Sequence, residues 1–375
     1  MRPLGAVAQR PSGGHDVRDR LVETLLEVLR VPSVTGEERA LADLLARRYA
    51  HEEVLRLGDS LVVGTADGDR PTVLLVAHLD TVPPAPGDGP PEVRDGRVVG
   101  RGASDMKAGL AVAMDVFEDR ALRDGPYQML LAAYAREEGA HADNELGPLL
   151  DAVAPLRDAA LAVVLEPTDL QVQLGCMGAL HAEVAFTGRA AHSARPWQGQ
   201  NALTAAAPFL AELHDLRPRD VAVDGLDYRE VVVATQAWTA GARNVVPDRF
   251  TVNVNYRFAP DKDLAEAEAR VHELVDGRAE VAVVDRAPAG RPFRDDPLVA
   301  AFIAAAAAPT GPKQAWTDVA RFSEVGVPAL NYGPGITAQA HQAGEYALAE
   351  DLVTARGGLA RFLAGAGESA ASLPA

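Results

Sequence analysis

Apolar positions at the start of the chain recur at helical spacing. In "DVRDRLVETLLEVLRV", Val17, Leu21, Val22, Leu25, Leu26 and Leu29 fall on one stripe, predicting an amphipathic helix that Pro32 ends. Thr35 and Glu38 make a capping-box pattern that opens a second helix through "ALADLLARRY". The period then changes. "TVLLVA" (72–77) is a near-continuous apolar run, as expected of a strand covered on both faces, and "YQMLLAAYA" (127–135) and "ALAVVLE" (160–166) repeat it. Between them lie "PPAPGDGPPEVRDG" (83–96), a loop by composition, and a helix from about Met106 to Phe117. Helices alternating with buried strands predict an α/β layered domain.

The middle of the chain follows another order. Strand 179–187, helix 200–215, strands 230–239 and 249–258, helix 262–275 and strand 279–285 give βαββαβ, the split arrangement of a ferredoxin-like α+β unit. After "PAGRPF" the α/β pattern resumes with helix "PLVAAFIAAAAA", strand "VPALNYG" (327–333) and a last helix from about Ala349. The expectation is therefore two domains. Residues 1–177 and 288–375 form an α/β domain, interrupted by an inserted α+β domain over 178–287.

Composition narrows the function classes. The chain has 375 residues, with 48% hydrophobic and 24% charged, an ordinary globular balance. Its 36 Lys and Arg against 53 Asp and Glu give a formal charge of −17, which argues against nucleic acid or an anionic membrane surface as partner. Cys176 is the sole cysteine, so neither an intrachain disulfide nor a thiolate metal cluster can form, and a reducing cytoplasm fits. "MRPLGAVAQRPSGGH" has too short an apolar stretch for a signal peptide and reads as a floppy leader. No apolar run approaches transmembrane length.

The candidate chemistry sits at the strand ends. His78 and Asp80 are two apart and leave on one face, where open α/β sheets place their ligand crevice; a satisfied structural hydrogen bond would look the same. Asp105 in "GRGASDMKAG" stands before a helix, either as its N-cap or turned into the crevice by Gly100 and Gly102. A dinucleotide fingerprint is excluded, because Asp105 replaces its third glycine. Glu137 and Glu138 in "AREEGA" are a solvated turn or a pair brought together at a strand end by Gly139. Glu166 ends an apolar run, where a carboxylate is costly without a partner, and His341 lies in the loop after "VPALNYG". Imidazole and carboxylate without thiolate form a ligand set for zinc, with cobalt or manganese as substitutes, and an aspartate shared between two ions makes the two-metal clamp of hydrolytic enzymes.

In chain order "HLDTVP", "GRGASDMKAG", "EE", "EPT", "GRAAHSARPWQGQNA", "NVVPD" and "AH" resemble the dinuclear-zinc aminoacylases and carboxypeptidases of the M20 metallopeptidase family, from about residue 20 onward. The resemblance implies a zinc-aminopeptidase-like α/β catalytic domain and a ferredoxin-like lid through which two chains form a homodimer. It implies that His78 and Glu166 bind one zinc, Glu138 and His341 the other, and that Asp105 bridges them. Asp80 would orient His78, and Glu137 would be the general base that takes a proton from the attacking water and delivers it to the leaving amine. His192 in "AAHSARP" resembles the family histidine that crosses the dimer and polarises the scissile carbonyl; by itself it reads equally as a loop histidine capping the helix after Pro196.

Arg257 also has local support. Thr251, Asn253, Asn255 and Arg257 share the polar face of their strand, and a guanidinium beside amides suits bidentate capture of a substrate carboxylate. Asn244 and the "GPG" loop with Gly333 and Gly335 resemble further substrate contacts, whereas Cys176 reads as packing. Within the family, "GCMGAL", "AHSARPWQGQNA", "WTDVARF" and "NYGPG" are most similar to the succinyl-diaminopimelate desuccinylases of actinobacterial type. These cleave N-succinyl-LL-2,6-diaminopimelate in lysine biosynthesis. "GPGITAQAH" lacks an Asp-Pro after its second glycine, Gly344 stands where an Asp or Asn is common, and Leu165 replaces a glycine. Another N-acyl-amino-acid deacylase or a dipeptidase therefore stays open, as does a non-catalytic binding relative, against which Glu137 speaks.

Overall fold

The strand Thr72–His78 is buried along almost its whole length and organises the computed structural model, which describes residues 17–66 and 68–366. The expected leader lies outside the described residues. Side chains alternate across the strand: Val73, Leu75 and Ala77 enter the core on one face, Leu74 and Val76 that on the other. The first face is covered by Val17–Leu29, Ala108–Glu118 and Ala349–Leu363, the second by Leu146–Ala152 and Val319–Glu324. Ala108–Glu118 is buried from Ala108 to Phe117, between the sheet and the first and last helices, and is apolar there except for Asp115, which pairs with Arg20 and Arg356.

The sheet has eight strands in the order Val54–Leu57, Ser60–Val63, Gln128–Tyr134, Thr72–His78, Leu161–Val164, Ala329–Asn331, Val172–Leu174 and Thr310–Pro312. Thr72–His78 runs parallel to both its neighbours, and Leu161–Val164 parallel to Ala329–Asn331. Four adjacent strands thus release their carboxyl ends along one edge. The inserted unit is an antiparallel sheet ordered Arg219–Val223, Leu226–Thr239, Arg249–Phe258, Gly178–Thr187 and Glu280–Ala287, backed by Ala207–Asp215 and Leu264–Val275. Leaving aside the added edge strand, the order is that of a ferredoxin-like sheet, so the fold class matches the expectation.

Several local expectations are corrected. Thr35 and Glu38 do not form a capping box, and Arg39–Arg48 has no side-chain cap. The Thr35 hydroxyl instead donates to Asp80 Oδ2 at 3.0 Å, and Glu38 accepts from the Gly36 and Arg136 amides at 2.8 and 3.2 Å. The expected loop over 83–96 ends in a hairpin, Glu92–Arg94 with Arg97–Val99, turning on Asp95 and Gly96 at positive φ. The expected helix over 200–215 is two, Ala202–Ala205 and Ala207–Asp215, with Pro208 in the first turn of the second. Asp105 is not an N-cap: it lies in the irregular turn Ala103–Lys107, and the α-helix begins at Ala108.

Gly109 brings that helix against the sheet, because a Cβ there would lie 2.1 Å from the Leu165 carbonyl oxygen. Leu165 is fully buried and directly precedes Glu166. Gly109→Ala is expected to destabilise the fold by about 1–3 kcal/mol through overpacking. An unchanged urea midpoint would show that the helix can retreat without cost.

Candidate active site

The four parallel strand ends carry ionisable residues. His78 closes its strand, Glu137 and Glu138 follow Gln128–Tyr134, Glu166 follows Leu161–Val164, and His341 lies in the loop after Ala329–Asn331. Asp105 reaches the same place from the turn Ala103–Lys107. His78 Nε2 lies 3.2 Å from Asp105 Oδ1 and 4.0 Å from Glu166 Oε1. His341 Nε2 lies 2.9 Å from Glu138 Oε2 and 3.7 Å from Asp105 Oδ2. Candidate ligand atoms of His78, Asp105 and Glu166 fall within 4.8 Å of one another, as do those of Asp105, Glu138 and His341. Asp105 belongs to both sets. Glu137 forms a further set with His78 and Glu138.

Two buried carboxylates hold this cluster without joining it. Asp80 accepts the Glu137 and Glu138 amides at 3.0 Å each, as well as the Thr35 hydroxyl, so it fixes the turn carrying the glutamates. The His78 ring is held by the Asp80 carbonyl, 3.0 Å from Nδ1, more closely than by the carboxylate at 3.6 Å. A carbonyl can only accept, so Nδ1 carries the proton and the Nε2 lone pair of neutral His78 is free for a ligand.

Glu345 does for Asp105 what Asp80 does for the glutamates. It accepts the amides of Gly102, Ser104 and Asp105 at 3.0, 2.8 and 2.9 Å, and Arg101 at 3.0 Å. Sequence reasoning missed Glu345, since its partners are main-chain amides 240 or more positions away. It also missed Lys313, which is 5% exposed and donates to the Pro167 carbonyl at 2.8 Å. A lysine after Gly-Pro carries no signal of burial.

The cluster's electrostatics call for cations. Burial, then the neighbouring Asp105, raises the Glu166 carboxyl to about 7. Burial with Glu166, Asp318 and Glu138 nearby raises Glu137 well above the carboxylate range. Burial opposes charge on His78, yet the Asp105 hydrogen bond and the charges of Glu137 and Asp80 outweigh it and raise the imidazole. The Glu138 hydrogen bond raises His341. Glu166 Oε1 is buried with no hydrogen-bond partner. An orphaned oxygen beside an imidazole nitrogen, amid carboxylates that raise one another, fits a pair of divalent cations.

A cavity of about 360 Å³ opens over the cluster, lined by Asp105, Glu137, Glu138, Glu166, His341 and, from the inserted unit, Arg257. Lys313, Trp316 and Thr337 also line it. Arg257 Nε donates to Asn255 Oδ1 at 3.1 Å, which fixes the guanidinium. The other expected contacts are not brought to this cavity within one chain. His192 is exposed on the two-residue strand Ala191–His192, where its Nδ1 accepts the Ala194 amide at 3.1 Å rather than capping a helix. Asn244 is next to it, its carbonyl accepting from Ser193 at 2.9 Å. Gly333 and Gly335 are packing positions: a Cβ would meet the Glu166 carbonyl at 2.4 Å and the Ser104 carbonyl at 2.2 Å respectively. Cys176 is fully buried, and burial raises its thiol to about 11, which leaves it inert.

The profile described as Peptidase family M20/M25/M40 matches residues 74–365. A Mycobacterium tuberculosis protein named putative succinyl-diaminopimelate desuccinylase is 35% identical over 355 residues, covering 93% of this chain and 99% of that protein. A Corynebacterium glutamicum succinyl-diaminopimelate desuccinylase is 35% identical over 344 residues, covering 89% and 93%. Among solved structures, a Bacillus subtilis protein described as a dinuclear metal binding peptidase from the M20 family superposes with a TM-score of 0.65 at 17% identity, over 92% of this chain and 97% of that one. At that identity the likeness shows the fold.

The raised groups fix the sign of a pH dependence. Without metal, the folded state holds the Glu166 proton more tightly than the unfolded chain, whose ordinary value is 4.5. That stabilisation is complete below the unfolded value and is lost as pH rises through about 7. A metal bound there would replace the proton, so the gap in melting temperature between metal-loaded and chelator-treated protein is expected to widen from about pH 5 to about pH 8. Calorimetric scans at both pH values check this, and a gap that narrows would contradict it.

Proposed function

The chain belongs to peptidase family M20/M25/M40, and on that premise we propose that it is a zinc-dependent amide hydrolase converting N-succinyl-LL-2,6-diaminopimelate to succinate and LL-diaminopimelate. The observation that carries this reading is Asp105 shared between two sets of candidate ligands, with Glu137 beside them. His78, Asp105 and Glu166 would hold one zinc, and Asp105, Glu138 and His341 the other. Bound there, the ions supply Lewis acidity toward the substrate carbonyl and lower the pKa of water.

This chain's residues do the rest. The Glu137 carboxylate accepts a proton from the attacking water as the oxygen bonds to the carbonyl carbon. When the C–N bond breaks, the same carboxyl returns the proton to the departing nitrogen, so the products are a carboxylate and an amine. Burial favours the protonated form of Glu137, which suits it to the donating half of that cycle. Asp80 keeps Glu137 and Glu138 in register, and Arg257 pairs with a substrate carboxylate across the cavity.

Residues 178–287 act as a lid and dimerisation domain in this reading, with His192 and Asn244 completing a partner's site. Two features support it. The half of Leu226–Thr239 beyond Glu230 pairs with Arg249–Phe258 but not with Arg219–Val223, which leaves a sheet edge. Trp238 and Val233 on it are 42% and 48% exposed. The enzyme would work in the cytoplasm; among the described residues no helix is long and apolar enough to cross a membrane.

A deacylase for another acyl group is favoured by one observation: Thr337, in the stretch that departs from the desuccinylase pattern, lines the cavity and gives its hydroxyl to Asp169. A panel of N-succinyl, N-acetyl and N-formyl amino acids, read by amine release with and without chelator, decides between the two. Release from N-succinyl-LL-diaminopimelate that chelator abolishes is the expected result. Release from N-acetylornithine alone would replace the substrate.

Two variants test the assigned roles. Glu137→Gln is expected to lower kcat about 10²–10⁴-fold while metal stoichiometry stays at the wild-type level. Turnover that survives would remove Glu137 as the base. His192→Ala is expected to impair kcat while the protein still sediments as a dimer, and a fully active monomeric wild-type protein would remove the crossing histidine.

A further inference from the structure

Lys313 is used by nothing so far described. Its side chain lines the catalytic cavity, yet the residue is only 5% exposed. Its ammonium donates to the Pro167 carbonyl at 2.8 Å and lies outside ion-pair distance of any carboxylate among the described residues, although its charge acts on the nearby Asp105 and Glu166. A buried ammonium whose one hydrogen-bond acceptor is neutral relies on such a nearby anion.

The cluster below does not supply that anion once it is loaded. Asp105, Glu137, Glu138 and Glu166 carry four negative charges when ionised, and two divalent ions cancel them. What remains in the wall of the cavity is two cations, Arg257 and Lys313, on different parts of the chain. Arg257 stands on the strand Arg249–Phe258 of the inserted sheet. Lys313 directly follows Thr310–Pro312 at the edge of the large sheet, tethered beside Glu166 through Pro167.

We propose that Lys313 is a second carboxylate-binding cation of the catalytic cavity, so that the preferred substrate carries a carboxylate on each side of the scissile amide and Arg257 and Lys313 hold one each. This rests on the amide-hydrolase reading, whose proposed substrate already carries a carboxylate on each side of the amide, and assigns one of them to Lys313. A diacid neutralises both cations, whereas a monoacid leaves a buried charge uncompensated, and discrimination follows from that penalty. Lys313 binds substrate and is distinct from a residue that only positions Glu166.

Three amides test it: an N-succinyl amino acid, its N-acetyl counterpart without the acyl-side carboxylate, and an N-succinyl amine without the amine-side carboxylate. The wild-type enzyme is expected to prefer the diacid over both monoacids in kcat/KM. In Lys313→Met one of those two preferences is expected to fall about tenfold to hundredfold, with the other retained; Lys313→Arg is expected to restore it. Calorimetric titration with each product separately is expected to show the same loss of affinity for one product only, at wild-type metal stoichiometry. Both preferences kept in Lys313→Met, or a fall in metal content that accounts for the loss, would overturn the proposal and leave Lys313 as a positioning residue. A wild-type enzyme that cleaves none of the three would overturn the amide-hydrolase reading along with it, so the two failures are distinguishable.

Discussion

Repulsion among four carboxylates in one crevice is the constraint the rest of this structure answers to. Asp105, Glu137, Glu138 and Glu166 meet around His78 and His341 in a setting where burial alone disfavours ionisation. Such a group persists only if its surroundings hold it in place and something positive is shared among its members. The sheet provides the first condition. Four adjacent parallel strands end together, so side chains remote in sequence converge without long flexible connections.

A second tier of buried carboxylates makes the convergence rigid. Asp80 and Glu345 spend their oxygens mainly on main-chain amides, and those amides belong to the segments bearing Glu137, Glu138 and Asp105. A carboxylate accepting several N–H groups is held in place, so each fixes a backbone turn rather than a single side chain. The hierarchy explains why Asp80 can be fully buried beside so much negative charge. Its oxygens already accept two amides and a hydroxyl, and it belongs to none of the candidate ligand sets.

How much of this was legible follows from the range over which each signal acts. The strand ends were legible because an apolar run closing on His78 or Glu166 is a local anomaly. A crevice of imidazoles and carboxylates was legible from the strand ends, but which residues share which ion came only through the family resemblance, since no spacing encodes which strands lie side by side. Glu345 and Lys313 were invisible, because their significance lies in burial and in partners contributed by other segments. The pairing of Thr35 and Glu38 misled for the converse reason: a good local pattern lost to Asp80 and to the Gly36 and Arg136 amides. The edge hairpin of the inserted sheet had a usable signal in Asp224-Gly225, both at positive φ, since Asp-Gly favours this turn.

The cavity itself belongs to neither sheet. Its acidic floor comes from the strand ends of the large sheet and its guanidinium from the inserted one, so the distance between them is set where the chain crosses. At that crossing Cys176 and Gly290 exchange both main-chain hydrogen bonds at 3.1 Å, joining the outgoing and returning segments. Asn331, which ends a central strand, donates to the Gly175 carbonyl at 3.3 Å, tying the crossing to the sheet. Cys176 packs its sulfur against the Thr317 carbonyl at 3.4 Å, and a larger side chain there would push the crossing away from the sheet. The joint is not held by the cysteine alone: the Tyr228 hydroxyl of the inserted sheet donates to the Leu174 carbonyl at 2.8 Å and the Trp316 indole to the Pro288 carbonyl at 3.0 Å, so several contacts together set how the guanidinium faces the carboxylates.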